Sequence, residues 1–136
     1  LHIGALTGYV TSLISELCLK VYAIEEDEKH LSILNDNIKK NQIQNINILD
    51  KSFEFGSKLN APFDRIIIDC PIFKINQELL SQLSDDLGQI IAIKKEKDNL
   101  SKAIKITKNK LNYSREFLFD VFSNYSLYEE ERTFVF

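Results

Sequence analysis

Leu1-His2-Ile3-Gly4-Ala5-Leu6-Thr7-Gly8-Tyr9 opens the chain, and this short stretch decides how the rest of the fold is read. An apolar stub runs into one glycine, and a second glycine precedes Val10, Leu13, Ile14 and Leu17, whose i, i+3, i+4, i+7 spacing marks one face of a helix. The succession predicts strand, turn, helix. Val21-Tyr22-Ala23-Ile24 then reads as a buried strand. It stops at Glu25-Glu26-Asp27-Glu28, carboxylates that cannot stay buried unpaired and that favour the positive end of the next helix.

That second helix carries Leu31, Leu34 and Ile38 and runs to about Asn41, after which an Asn/Gln-rich loop leads to a third strand, Ile46-Asn47-Ile48-Leu49. Ser52 to Pro62 has little periodicity and reads as a long loop before a fourth strand, Arg65 to Asp69, which Pro71 is expected to close because proline cannot donate to a ladder. Ile75, Leu79, Leu80 and Leu83 are spaced for an amphipathic helix that Gly88 should end before a fifth strand at Gln89 to Ile93. Such alternation predicts an α/β fold with parallel strands and right-handed crossovers. From Leu100 the pattern changes to alternation, with a turn at Lys108-Asn109-Lys110 and a second β-like run from Phe117 to Val121, an antiparallel hairpin on one edge of a seven-stranded sheet.

The 136 residues suit a single domain, and 44% hydrophobic with 27% charged residues is an ordinary globular balance. No apolar run approaches the roughly 18 residues of a membrane-spanning helix. A net charge of −3 and a pI near 5.4 lack the basic surplus that nucleic acid attracts, although seven lysines between Lys94 and Lys110 form a local basic face. Cys18 and Cys70 stand far apart, predicting neither a disulfide framework nor a metal site and pointing to a reducing cytoplasm. The opening on what reads as the end of a strand implies that the domain, residues 1–136, continues upstream.

An open parallel sheet binds ligands at the carboxyl ends of its strands, where the topology reverses. Three segments fall there: the loop Gly4-Ala5-Leu6-Thr7-Gly8, the acids Glu25 and Glu26 at the end of strand two, and Asp50-Lys51-Ser52 at the end of strand three. Glycines allow a sharp turn and a close approach of backbone to ligand, and a carboxylate can accept both hydroxyls of a ribose. Together they describe a nucleoside pocket. Each also has an architectural reading, since a strand-helix turn needs glycine in any case and an acid at a helix start needs no ligand. The spacing G-x-x-x-G, with Leu6 in the middle, departs from the G-x-G-x-x-G of dinucleotide folds.

His2 to Tyr9, Val21 to Asp27, Ala61-Pro62-Phe63-Asp64-Arg65-Ile66-Ile67-Ile68 and Glu78 to Leu83 together resemble the protein-L-isoaspartate O-methyltransferases, in a divergent bacterial branch. The resemblance implies a Rossmann-like class I methyltransferase fold, S-adenosylmethionine as cofactor, and methyl transfer to the carboxylate of isoaspartyl residues in damaged proteins. It further implies that Gly4, Ala5, Leu6 and Gly8 hold the methionine part of the cofactor, that Glu25, with Glu26 beside it, binds the ribose, and that Asp50 or Ser52 lies by the adenine. An isoaspartyl protein or peptide is the implied partner, and no residue is singled out for acid or base work. The chain departs from the family at His2, where an acid is usual, at Leu6, where a glycine is usual, and at Lys51-Ser52, which replace a Gly-Asp pair. The family's Ser/Thr-bearing segment that embraces the substrate is expected upstream of Leu1. A non-catalytic methyltransferase-like regulatory domain and an RNA methyltransferase using the lysine-rich edge are the alternative readings. Other residues have plainer expectations: His2 is a hydrogen-bonded strand-end histidine or a broken site, and Cys70 a small buried hydrophobe. The aromatics Phe117, Phe119, Phe122, Tyr125, Tyr128, Phe134 and Phe136 are expected in core and edge-strand packing.

Overall fold

The structure is a computed structural model that describes residues 1–96 and 100–122. Along the chain come β1 (His2–Ile3), α1 (Tyr9–Ser15), β2 (Val21–Ile24), α2 (Glu28–Lys40), β3 (Ile46–Leu49), β4 (Arg65–Ile72), α3 (Gln77–Ser81), β5 (Asp86–Lys95), β6 (Leu100–Asn109) and β7 (Asn112–Phe122), with a 3-10 turn at Lys58–Asn60. The strands form one sheet in the order β3-β2-β1-β4-β5-β6-β7, parallel from β3 to β5 and antiparallel from β5 to β7. The α/β reading, the parallel sheet and the C-terminal hairpin all stand.

Both faces of the sheet are apolar, as period-2 side chains on buried parallel strands require. On one face Ile3, Ile24, Ile66, Ile68, Ile90 and Ile104 pack with Phe63, Leu79 and Leu83. On the other, Ala5 and Ala23 meet Leu34 and Ile38 of α2. That helix starts where its sequence directs: the Asp27 carboxylate accepts the His30 N–H at 2.9 Å, Glu28 lies in the first turn, and Lys39 and Lys40 lie in the last.

Four local readings are corrected. In α1 the buried residues are Thr11 and Ser15, while Leu13 is 53% exposed and Leu17, past the helix end, 87%. Hydrogen bonds orient this helix rather than its apolar stripe: Thr11 Oγ1 lies 2.9 Å from His2 Nδ1, and Asn45 Nδ2 donates to the Ser15 and Cys18 carbonyls. Pro71 does not close β4, which continues to Ile72 after a register shift between Ile68 and Pro71. β1 ends opposite Ile68, so beyond that point β4 has a free edge where a missing N–H costs no ladder bond. Third, α3 is only five residues long, and Gly88 lies inside β5 rather than at a helix end. A Cβ at Gly88 would sit 2.6 Å from the Ser84 carbonyl oxygen, so close backbone approach, not helix termination, requires the glycine. Finally, Phe117, Phe119 and Phe122 are 53%, 59% and 83% exposed, because β7 is an outermost strand flanked by β6 alone among the described residues. They belong to edge-strand packing and not to the core; Tyr125, Tyr128, Phe134 and Phe136 lie outside the described residues.

Candidate functional site

Because β1 to β4 are parallel, their carboxyl ends share one edge of the sheet, and the order 3-2-1-4 reverses direction between β1 and β4. That is where an open sheet leaves a crevice. The Gly4–Gly8 loop leaves β1 here in left-handed backbone, with φ of 80° at Gly4, 49° at Leu6 and 89° at Gly8. Gly4 and Ala5 both donate their N–H to the Ile24 carbonyl, at 3.1 and 3.2 Å, which pins the loop to the end of β2. A Cβ at Gly8 would stand 2.5 Å from Leu34 Cδ1, so this glycine is also demanded by the packing of α2.

Glu25 supplies the strongest tie. Its side chain is 1% exposed, its Oε2 accepts the Leu6 N–H at 2.6 Å, and its Oε1 accepts the N–H groups of Glu26 and Asp27, each at 3.0 Å. Three backbone donors thus stabilise a buried carboxylate that would otherwise be costly. The residue works as a latch between the loop and β2. Glu26 is the exposed acid of the pair, and its Oε2 accepts the Phe53 N–H at 3.2 Å, linking strand two to the segment after β3. From α2, Asn37 Nδ2 donates to the Thr7 carbonyl at 2.8 Å and supports the loop from behind. Asp50 and Ser52 are exposed at the end of β3, where Ser52 Oγ accepts the Glu54 N–H at 3.3 Å.

Beside this edge lies a mostly apolar cavity of about 350 Å³ lined by Ile3, Phe53, Ile68, Ile72 and Phe73, among others, with Glu54, Lys74 and Asn76 as polar members. Asn76 braces it by donating to the Glu54 carbonyl at 2.6 Å while its Oδ1 caps the Leu79 N–H at 2.8 Å. Leu6 is 37% exposed and is not part of that lining. Sequence reasoning places the loop, Glu25, Glu26, Asp50 and Ser52 on this edge, and the structure brings them there. It misses Phe53, Phe73, Asn37 and Asn76. Of these, Phe53 and Phe73 carry a signal only as aromatic residues shortly after strand ends, Phe73 directly after β4 and Phe53 four residues after β3.

At the β1/β4 junction, His2 is 1% exposed, and the Cys70 thiol is buried. Burial, and then the negative charges of Asp69, Glu25 and Glu26, push the Cys70 thiol up to about 12. This matches the reading of Cys70 as an inert buried group. Among the described residues no cluster of three or more His, Cys, Asp or Glu side chains could hold a metal ion, and no helix is long and apolar enough to cross a membrane.

Comparison with known proteins places this architecture. A solved protein-L-isoaspartate O-methyltransferase superposes on 95% of the chain with a TM-score of 0.84 at 18% identity, the chain covering 41% of it. A putative methyltransferase from Streptococcus mutans, solved with S-adenosylhomocysteine, matches 85% of the chain and 84% of its own length with a TM-score of 0.57 at 14% identity. These likenesses establish the class I methyltransferase fold. Among curated sequences, the protein-L-isoaspartate O-methyltransferase of Dictyoglomus thermophilum is 30% identical over 116 residues, 85% of this chain and 52% of the relative. That of Methanosarcina mazei is 34% identical over 86 residues, 61% of this chain and 35% of the relative. The chain therefore spans between about a third and a half of the relatives it matches. The family model for protein-L-isoaspartate(D-aspartate) O-methyltransferase matches residues 1–119, and the chain belongs to that family.

Proposed function

We propose that this chain forms the S-adenosylmethionine-binding core of an enzyme that methylates the carboxylate of L-isoaspartyl residues in damaged proteins. The observation that carries the reading is the Gly4–Gly8 loop, latched to β2 by Glu25 beside a preformed cavity at the topological switch point. The residues present fit the cofactor: an apolar slot with Phe53 and Phe73 in its wall suits a purine, and Glu26 is an accessible carboxylate for sugar hydroxyls. In this reading Gly4, Ala5, Leu6 and Gly8 border the amino-acid end, Glu25 shapes the loop from below, and Asp50 and Ser52 flank the adenine side.

When bound, S-adenosylmethionine supplies an electrophilic methyl group on a sulfonium. Methyl transfer from it to a carboxylate oxygen would call for no protein acid or base. The chain's share is to align the two reactants and exclude water. The free thiols Cys18 and Cys70 suit a reducing cytoplasm as the setting. An isoaspartyl protein is the expected partner, and the acidic net charge of −3 argues against nucleic acid.

The test is methyl incorporation from labelled cofactor, by the whole protein that carries this chain, into an isoaspartyl peptide and its normal aspartyl twin. Label in the isoaspartyl peptide alone supports the reading. Cofactor binding with no label in either would favour the non-catalytic domain, and label in RNA the third reading.

A further inference from the structure

Charge changes sign along the edge of the sheet that carries the crevice. Glu25, Glu26 and Asp50 follow β2 and β3, offset by Lys51, and Asp69 stands in the register shift of β4. Five residues further on the chain carries Lys74. From there to the hairpin the same edge is basic, since Ile72 pairs with Lys94 and Lys94 with Lys102. Like charges directly opposite one another on neighbouring strands oppose pairing. Their compensation is slight: Lys94 Nζ lies 3.5 Å from Glu96 Oε1, while Lys102 stands opposite Asp120 with its Nζ 5.9 Å from the centre of the Phe117 ring. Two walls of opposite sign thus flank one cavity.

Among the described residues that line the cavity, Lys74 is the one cation and Glu54 the one acid. The Lys74 side chain is exposed and forms no ion pair or hydrogen bond within the described residues. The turn that carries it is fixed on both sides. Before it, Ile72 ends β4 in the ladder with Lys94; after it, Asn76 donates to the Glu54 carbonyl at 2.6 Å and caps the Leu79 N–H at 2.8 Å. Phe73, next to it, has Lys95 Nζ 5.6 Å from its ring centre, a second positive charge on the same side. A cation on a braced turn, in the wall of a cavity and left without a counter-ion by the protein, suits an anionic ligand group.

We propose that Lys74 is the specificity residue for the methyl acceptor: its ammonium donates to the acceptor carboxylate, and the basic run through Lys94 and Lys102 draws that anion to this wall, away from the acids that follow β2 and β3. The proposal rests on the reading of the crevice as an isoaspartyl-methylating site and says how that site receives its substrate. It has a kinetic consequence. The acceptor is an anion before methylation and a neutral ester after it, so the ammonium holds the bound substrate more tightly than the transition state, where the carboxylate charge is already falling. Lys74 therefore acts in binding the acceptor. Its loss raises KM and does not lower kcat.

The test uses the whole protein that carries this chain, saturated with S-adenosylhomocysteine and titrated calorimetrically with two peptides. One contains an isoaspartyl residue, and the other is the same peptide with a carboxamide in place of the free carboxylate. The reading requires the unsubstituted protein to methylate the isoaspartyl peptide once S-adenosylmethionine is supplied; failure there overturns the reading and the proposal together. Given methylation, Lys74→Gln should weaken the isoaspartyl peptide about tenfold, the size of one charge-assisted hydrogen bond, and leave the carboxamide peptide and S-adenosylhomocysteine within about twofold. KM should rise by a similar factor with kcat within about twofold, and Lys74→Arg should restore most of the affinity. Lys110→Gln removes the same charge from the turn between β6 and β7, at the opposite end of the hairpin, and should change none of these values. If Lys74→Gln weakens both peptides alike, weakens neither, or lowers kcat at an unchanged KM, the proposal is wrong while the reading stands. Because Lys74 is exposed and lies outside the strands and helices, these variants keep the fold and the outcomes report on the acceptor.

Discussion

β1, β2 and β3 are two to four residues long, and each reaches its neighbour through a helix or a long loop, whereas β5, β6 and β7 run for ten or eleven residues and reverse directly into one another. In the first region, order comes from side chains that hold backbone: Glu25 on three N–H groups, Asn37 on Thr7, Asn45 on Ser15 and Cys18. In the second, order comes mainly from the ladder itself; Lys105–Glu116 at 2.6 Å is a surface tie, and the buried Lys108, which donates to the Leu83 carbonyl at 2.9 Å, ties β6 to the segment before β5. Short strands cannot position loops by ladder bonds alone, so the end of the sheet that carries the site spends buried polar groups to do it. The hairpin extends the frame and, among the described residues, contributes none to the crevice lining.

The contrast can be broken most directly by removing one tie from each region. Glu25→Ala strips the acceptor from the Leu6, Glu26 and Asp27 N–H groups and should lower stability in urea by about 3 kcal/mol, taking an unsatisfied buried donor at about 1–3 kcal/mol and allowing for water at the two outer ones. Lys105→Ala, on side chains 30% and 59% exposed, should cost less than about 1 kcal/mol. Equal costs would contradict the division. Gly8→Ala comes next: at φ 89° and with Leu34 Cδ1 2.5 Å from the new Cβ, it should cost about 2 kcal/mol by thermal or urea unfolding, unless Leu34 can move aside. A neutral result would show that α2 yields where it is taken to be firm.

Much of this division is legible in the residues, and what is not has definite causes. Val21–Ile24 matches its apolar run to the residue, because a buried parallel strand must be apolar on both faces and is ended by the first charged cluster, and Ile46–Leu49, at the edge of the sheet with Asn47 exposed, is bounded by the polar residues on either side. The glycine loop and the acids after Ile24 are legible for the same reason, as breaks in that pattern. The burial of Glu25 is not, since a carboxylate in an acidic run reads as solvated until the loop that donates to it, nineteen residues earlier in sequence, is known to lie against it. Apolar spacing misleads on the inward face of α1, because it gives no weight to the Thr11 hydroxyl on His2 or to the Ser15 carbonyl held by Asn45, which tie that face to the sheet. Local rules make Pro71 and Gly88 punctuation, while an open strand edge and a close backbone approach are tertiary facts.

A finer contrast lies between the two cysteines. Cys70 sits at the crevice end of β4, buried and with its thiol pushed up to about 12, and Cys18 is half-buried beyond the other end of α1. At pH 8 the native protein should expose one thiol to an aromatic disulfide reagent on the time scale of minutes, and two after unfolding. Rapid reaction of both in the native state would mean that the β1/β4 junction opens readily, against the packing of Cys70 Sγ 3.0 Å from the Cβ position of Gly4.

The central claim is that the latched loop and its cavity are a cofactor site. Thermal unfolding of the chain with and without S-adenosylhomocysteine at about 1 mM tests it most directly, because a ligand that binds only the folded state must raise Tm by mass action. The account predicts a rise of several degrees with the unsubstituted chain, and none with free homocysteine at the same concentration. An unchanged Tm with S-adenosylhomocysteine would contradict it.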